Sequence, residues 1–596
     1  MASIRKSKKG CSVRVYKGDA MNLLCFDLEE AKTIDCVGFS IRVTTPSNKS
    51  FFLFNRLSFE KQLTANADME DREEASTPSD KAPFQKYNWL HVPSSSFDGK
   101  EEFGLYKYEV TPRYMQAGVF VNLDADRTVT VETKLEPFKK GKFQLGFTRS
   151  FMISQAYARR FGNDTTLKPK GDEFFDTSTV SGKYPAELKI VGGKDYTYAD
   201  QYEWMGWQAH DLIFSLLNEI IGDPSLTVDV FAYDLDEPDM AKKFLHLAGE
   251  GRIRIILDDS SSHVSTDKKD SSEDLFEKEF ANVAVQGAEL IRGRFSRQSH
   301  QKTFIVKKNN KPFKVLSGST NFAINGLYIN ANHVLIFENK TIAETYAAVF
   351  EESFNFLGTT PKPKITAITS KELFKKEHKF TEAGLPEMVI SFAPHNKTVA
   401  TTIMNGLNKA IKDASDSVLF AVMSLESNTS GPVVPTLRDI HKDDSIFSYG
   451  ITDKYDGVVV FTPGSKRGKL VETSKLQRNL PKPFNKEIGT SAHKVHHKFV
   501  VLDFKSPNAV VYCGSTNLAL LGEQENGDNM LAIHDEDIAT AFAIEAFRLI
   551  DHYHFRAALS EADASDPMLL KKDNSWLKDY YKEGHMKKFM REYLIQ

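Results

Sequence analysis

The chain has 596 residues, 41% of them apolar and 26% charged, with a formal net charge of −3 and a pI near 6.6. A chain of this length outgrows one hydrophobic core and reads as about three domains. The near-neutral balance excludes a global polyanion binder, so any nucleic-acid surface has to be a local patch. Cys11, Cys25, Cys36 and Cys513 make no C-x-x-C pair, and no histidine cluster completes a zinc spacing. They read as free thiols, with no metal and no cofactor expected. The start, "MASIRKSKKGCSVRV", is basic with no apolar segment behind it, and no run of about 18 apolar residues occurs anywhere. These features predict a cytoplasmic protein.

From residue 10 to 137 the chain reads as seven short strands: "CSVRVY", "MNLLCFDL", "CVGFSIRV", "SFFLFNRLSF", "KYNWLHV", "LYKYEVTPRYM" and "TVTVETKL". Val, Phe and Tyr alternate with polar residues between turn signals, the pattern of a β-sandwich. The charged stretch 64–84 reads as a mobile loop. Beyond 145 the period changes. "DQYEWMGWQAHDLIFSLLNEIIG" is helical, "LTVDVFAYDL" a strand, "PDMAKKFLHLAGEG" a helix and "RIRIILDDS" a strand, which is α/β alternation. The second half repeats it with "NKTVATTIMNGLNKAIKDASD", "SVLFAVMSL", "PVVPTLRDIHK" and "DGVVVFTP". The predicted layout is a β-sandwich over 1–145, a first α/β lobe over 146–360, a linker over 361–385, a second lobe over 386–560 and a helical tail over 561–596. The tail is expected to pack on the second lobe.

The repeat is sharpest in "SHQKTFIVKKNNKPFKVLSGSTNF" (299–322) and "VHHKFVVLDFKSPNAVVYCGSTNL" (495–518). His300 to His496 and Asn321 to Asn517 are both 196 residues apart, so nothing is inserted within the motif. Alternation along a strand places His496 and Lys498 on one face and Asp503 on the other. A lysine and an imidazole side by side suit a phosphate: one supplies fixed charge, the other attacks or moves a proton. Serine and asparagine in the G-S-T-N turn add hydrogen-bonding groups. Two such segments brought together put two histidines on opposite sides of one phosphorus, the arrangement for in-line displacement through a phosphohistidine without a metal.

Two H-x-K segments, each followed by G-S-x-N, resemble the phospholipase D superfamily, whose members include phospholipases, nucleases, transphosphatidylases and phospholipid synthases. The likeness covers residues 200–560. It implies a pseudo-twofold, bilobal catalytic unit with the active site between the lobes. By that resemblance His300, Lys302, His496, Lys498 and Asp503 are the catalytic set, with His300 the nucleophile and His496 the acid/base. Ser319, Asn321, Ser515 and Asn517 bind phosphate. Within the β region, "YKYEVTPRYMQAG" resembles the late strand of fibronectin type III domains, which makes that domain a candidate surface for a protein partner.

Two departures stand out. Lys307 occupies the position of Asp503 in the first copy and is expected to face away from the chemistry. Asp528 occupies the position of Asn332, and its carboxylate is a candidate for orienting a histidine; an asymmetry of this kind separates the two histidine pKa values. The run Arg292–Lys314 carries eight cations and no acid, and His493 and Lys494 lie near the second motif. The basic run tilts the expected substrate toward DNA or RNA, with phospholipid as the alternative and a decayed phosphate-binding protein as the third reading.

Overall fold

The computed structural model describes residues 3–596 apart from 61–76, 94–100, 151–153, 164, 187, 189–190, 267–269, 426–430, 455–456, 463–467, 473–493 and 563–566. Most of the expected loop 64–84, and His493, lie outside the described residues.

The N-terminal region is all β. Ser3–Lys8, Cys11–Lys17, Asn22–Leu28 and Asn88–His91 form one antiparallel sheet, and a second is built on Cys36–Thr44, Gly104–Gln116 and Val129–Leu135. The two share a core in which Val13, Val15, Leu24 and Phe26 meet Phe39, Ile41, Tyr108 and Val131. The alternation that predicts these strands is the alternation of their burial: in Cys11–Lys17 every second side chain from Cys11 to Val15 is buried.

Two α/β sheets follow. In the first, Phe143–Phe147, His333–Glu338, Lys311–Gly318, Thr303–Lys308, Leu226–Ala232 and Ile253–Leu257 lie side by side in that order. In the second, Glu387–Phe392, Asn529–His534, Val510–Gly514, Lys498–Leu502, Ser417–Val422 and Phe447–Lys454 repeat the order. In each sheet one pairing in this run is parallel, Leu226–Ala232 with Ile253–Leu257 and Ser417–Val422 with Phe447–Lys454. A helix makes each crossover, Pro238–Gly249 in the first sheet and Val433–Asp439 in the second. The strand Phe143–Phe147 belongs to the first sheet, so that sheet reaches back across residue 145.

The last strand of each sheet feeds a long helix, Lys340–Gly358 or Glu536–Glu561. Asn339 and Asp535, again 196 residues apart, cap these helices by accepting the N–H of Ile342 and Ile538 at 3.0 Å. The tail does more than cover the second sheet. Tyr593 stacks on Phe447 at 4.1 Å, while Leu577 and Tyr580 enter the N-terminal β core and Trp576 Nε1 donates to the Cys36 carbonyl at 2.9 Å. It therefore ties the first and last parts of the chain together. All four cysteines are buried and unpaired. Among the described residues no helix is long and apolar enough to cross a membrane.

Candidate active site

Both H-x-K segments run into the edge of the opposite sheet's loop. The His300 N–H donates to the Gly527 carbonyl at 2.8 Å, and the His496 N–H donates to the Ala331 carbonyl at 3.1 Å. These backbone bonds bring each histidine beside the residue eleven positions beyond the partner copy's G-S-T-N turn, Asp528 or Asn332. His300 Nδ1 lies 2.7 Å from Asp528 Oδ1, and His496 Nδ1 lies 2.9 Å from Asn332 Oδ1. With Nδ1–H given to an oxygen, Nε2 of each ring is the nitrogen placed for attack or proton transfer.

The turn glycines make this close approach feasible. Gly318 and Gly514 have φ of +145° and +128°, and a Cβ there would meet the His333 or Asn529 carbonyl oxygen at 2.3 or 2.5 Å. Only glycine fits. The serines that follow turn inward. Ser319 Oγ donates to Asn332 Oδ1 at 2.8 Å and Ser515 Oγ to Asp528 Oδ1 at 2.8 Å. Both hydroxyls are fully buried and hold the groups that hold the histidines.

The lysines lie in the same buried place. Lys302 and Lys498 are each 1% exposed and donate to the carbonyl of their own copy's histidine, Lys498 at 2.8 Å. Lys302 Nζ also sits 4.4 Å from the Tyr233 ring centre. Burial lowers the Lys302 ammonium to about 7, against the pull of Asp528, Asp234 and Asp258. Burial and then Lys302 push Lys498 far down as well. A buried ammonium depressed by a neighbouring one favours an anion beside it. Burial, then Lys302, lowers His300 to about 4 despite Asp528, leaving the imidazole neutral and nucleophilic at neutral pH. Burial alone raises the Asp528 carboxyl, but His300 and Lys302 override it and hold it ionised, at about 2.

The asparagines flank this centre. Asn321 Nδ2 donates to Asp234 Oδ2 at 3.3 Å, and the buried Oδ1 atoms of Asn321 and Asn517 have no hydrogen-bond partner among the described residues. Asp503 does not join the site, which corrects its place in the catalytic set. It lies beyond the far end of the strand Lys498–Leu502, where its carboxylate accepts the backbone N–H groups of Ser415, Asp416 and Ser417 at 3.1, 2.8 and 2.9 Å. Lys307 faces away as expected, pairing with Asp229 at 2.6 Å. The basic run is also largely neutralised: Arg292, Arg294, Arg297, Lys308 and Lys314 each meet a carboxylate within 4.0 Å.

Sequence reasoning missed Tyr233 and Asp258. The Tyr233 ring packs edge-on against His300 at 4.6 Å, and Asp258 Oδ2 accepts the Ser299 N–H at 2.6 Å. Both sit just past the carboxyl ends of the two parallel strands, the place where open α/β sheets put their sites, and that position was the available signal.

Residues 217–354 match the family model described as "Cardiolipin synthase, PLD-like domain". This chain carries a phospholipase D-like domain. Solved structures similar to the chain include phosphatidylserine synthase of Haemophilus influenzae Rd KW20, at 10% identity over 64% of this chain and 90% of that one, with a TM-score of 0.39. Nuc of Salmonella typhimurium, a phospholipase D family member, matches at 19% identity over 24% and 86%, TM-score 0.20. Polyphosphate kinase of Porphyromonas gingivalis matches at 11% identity, TM-score 0.34, over 58% of this chain and only 48%, about half, of its own length. No curated protein sequence matches the chain. The phospholipase D-like domain so matched contains His300, Lys302, Ser319, Asn321 and Asn332.

Proposed function

We propose that this chain is a phosphodiesterase whose two α/β units, related by a pseudo-twofold axis, each contribute one histidine to one phosphate site. In this reading residues 1–145 are an accessory module, 146–360 and 386–560 are the lobes, 361–385 connects them and 561–596 is a bracing tail. The observation that carries it is the crossed pairing of His300 with Asp528 and of His496 with Asn332. Neither histidine is oriented without the other copy.

His300 Nε2 attacks phosphorus and forms the P–N bond as the P–O bond to the leaving group breaks; His496 Nε2–H protonates the departing oxygen. His496, now neutral, takes a proton from water. The resulting hydroxide attacks phosphorus, the P–N bond breaks, and His300 is restored. Asp528 stabilises the cationic ring that exists only during this cycle. Lys302 and Lys498 carry the charge facing the phosphoryl oxygens, with the Asn321 and Asn517 amides beside them. The asymmetry of Asp528 against Asn332 supports His300 as the nucleophile. Lys307 and Asn332, which motivate a decayed reading, each have a defined partner, which favours an active site over a decayed one. The ion-paired basic run likewise removes the preference for nucleic acid, and the reading stands at the level of a phosphodiester.

The test is cleavage in EDTA of single- and double-stranded DNA, RNA and mixed phospholipid vesicles by the wild type, His300→Ala and His496→Asn. Turnover of one class, lost in both variants, supports the reading and names the substrate. Turnover retained in either variant overturns it.

A further inference from the structure

We propose that Asp234, His263 and Glu273 form a binding site for a zinc-class divalent cation, beside the phosphate site and separate from its reacting atoms. Three elements converge to make it. Asp234 follows the strand Leu226–Ala232, His263 lies in the turn after Ile253–Leu257, and Glu273 is in the first turn of the helix Ser272–Val283. One donor atom from each lies within 4.8 Å of both others.

The ring of His263 is set for ligation. Its Nδ1 lies 2.9 Å from Asp258 Oδ1, and Asp258, fully buried, is itself fixed by the Ser260 N–H at 2.7 Å. Nδ1–H given to a carboxylate leaves Nε2 as the ligating nitrogen, the outer-shell arrangement of metal-binding histidines. Glu273 accepts the Leu235 N–H through Oε1 at 3.1 Å, so Oε2 remains for a cation. An independent observation marks the same spot. Asn321, 8% exposed, donates its Nδ2–H to Asp234 Oδ2 at 3.3 Å, and its buried Oδ1 has no hydrogen-bond partner among the described residues.

The donor set argues for the kind of ion. An imidazole with two carboxylates suits zinc or a neighbouring transition metal and not magnesium or calcium, which take oxygen alone. The effect on the protein is positional. Tyr233 packs between His263 at 4.5 Å and His300 at 4.6 Å, and Asp258 holds both the His263 ring and the Ser299 N–H. A cation on His263 therefore stiffens the wall against which His300 rests. The rival arrangement is a protonated His263 among the carboxylates with no metal.

Zinc alone is the probe. Full-length protein stripped with EDTA and dialysed is titrated with zinc chloride by calorimetry and followed by thermal melting, alongside His263→Ala and Glu273→Gln. The expected result is one equivalent bound by the wild type, binding weakened at least about 100-fold in either variant, and a zinc-dependent rise in Tm confined to the wild type. Glu273→Gln keeps the side-chain shape, so it decides the matter if His263→Ala fails to fold. Equal zinc binding by the wild type and Glu273→Gln, or none by the wild type, overturns the site. Phosphodiester cleavage in EDTA is measured on the same samples, so failure of this site and failure of the phosphodiesterase reading are separate results.

Discussion

Replacing Asp528 by asparagine removes one charge and almost nothing else. The amide oxygen can still accept from His300 Nδ1, as Asn332 does for His496 at 2.9 Å, and Ser515 Oγ keeps its acceptor. Asn526, which donates to Asp528 Oδ2 at 3.2 Å, faces an amide nitrogen instead, a stability cost of about 1 kcal/mol. The larger loss comes when His300 becomes cationic on attacking phosphorus. A hydrogen bond between charged partners contributes about 1.5–3 kcal/mol, and two unit charges about 4 Å apart in a partly screened site interact by about 4 kcal/mol. A barrier raised by about 2–4 kcal/mol slows kcat by roughly 30- to 1000-fold. KM should change little, because the ground-state imidazole is neutral. Steady-state kinetics on the substrate found by the EDTA screen, with urea unfolding as the control, measures both. The swap Asn332→Asp should slow the reaction far less, because it adds a charge to the acid/base histidine. A kcat within threefold of wild type for Asp528→Asn, or a larger loss for Asn332→Asp, refutes the assignment of His300 as nucleophile.

Three further outcomes follow from the same geometry. Tungstate, an inorganic oxyanion, should bind most tightly below pH 7 and weaken by up to about tenfold per pH unit above it, because Lys302 titrates near 7 in the free site and an anion draws the proton back; calorimetry showing constant affinity from pH 6 to 9 refutes this. Burial lowers His91, His395 and His441 to about 4, so the unfolded chain binds more protons between about pH 4 and 6.5. Their contribution to stability is full above 6.5 and is lost as pH falls, each group by at most about 3 kcal/mol. His91→Gln should flatten that slope in urea melts at successive pH values, and an unchanged slope counts against it. Asp503→Ala should lower stability by about 2 kcal/mol through the backbone donors it abandons while leaving kcat unaltered; a loss of kcat in a folded variant would return Asp503 to the catalytic set.

The repeat was fully legible in the chain because it is a matter of spacing. A constant 196-residue offset links His300 to His496 and Asn339 to Asp535. The same offset links Gly318 to Gly514, where only glycine permits the neighbouring carbonyl. The β alternation of Cys11–Lys17 and the turning of Lys307 away from the site were legible for the same local reason: the strand period is two. Asp503 shows the limit of motif-based assignment. The alternation already placed it on the opposite face from His496, and the structure finds it bonded to the backbone of residues 415–417.

What the sequence determined by itself was the set of chemical groups and the pairing of two similar units, since both are carried by residue identity and distance along the chain. What the tertiary structure decided was which group serves which. Asp528 stands in the second copy and orients the histidine of the first, 228 residues away. Ser319 and Ser515 are spent on Asn332 and Asp528, and cations of 292–314 find carboxylates at Glu219, Asp223, Asp229 and Asp274. These partnerships join atoms distant in the chain, and their strength depends on burial, which excludes water and turns a carboxylate beside an imidazole into the dominant local charge.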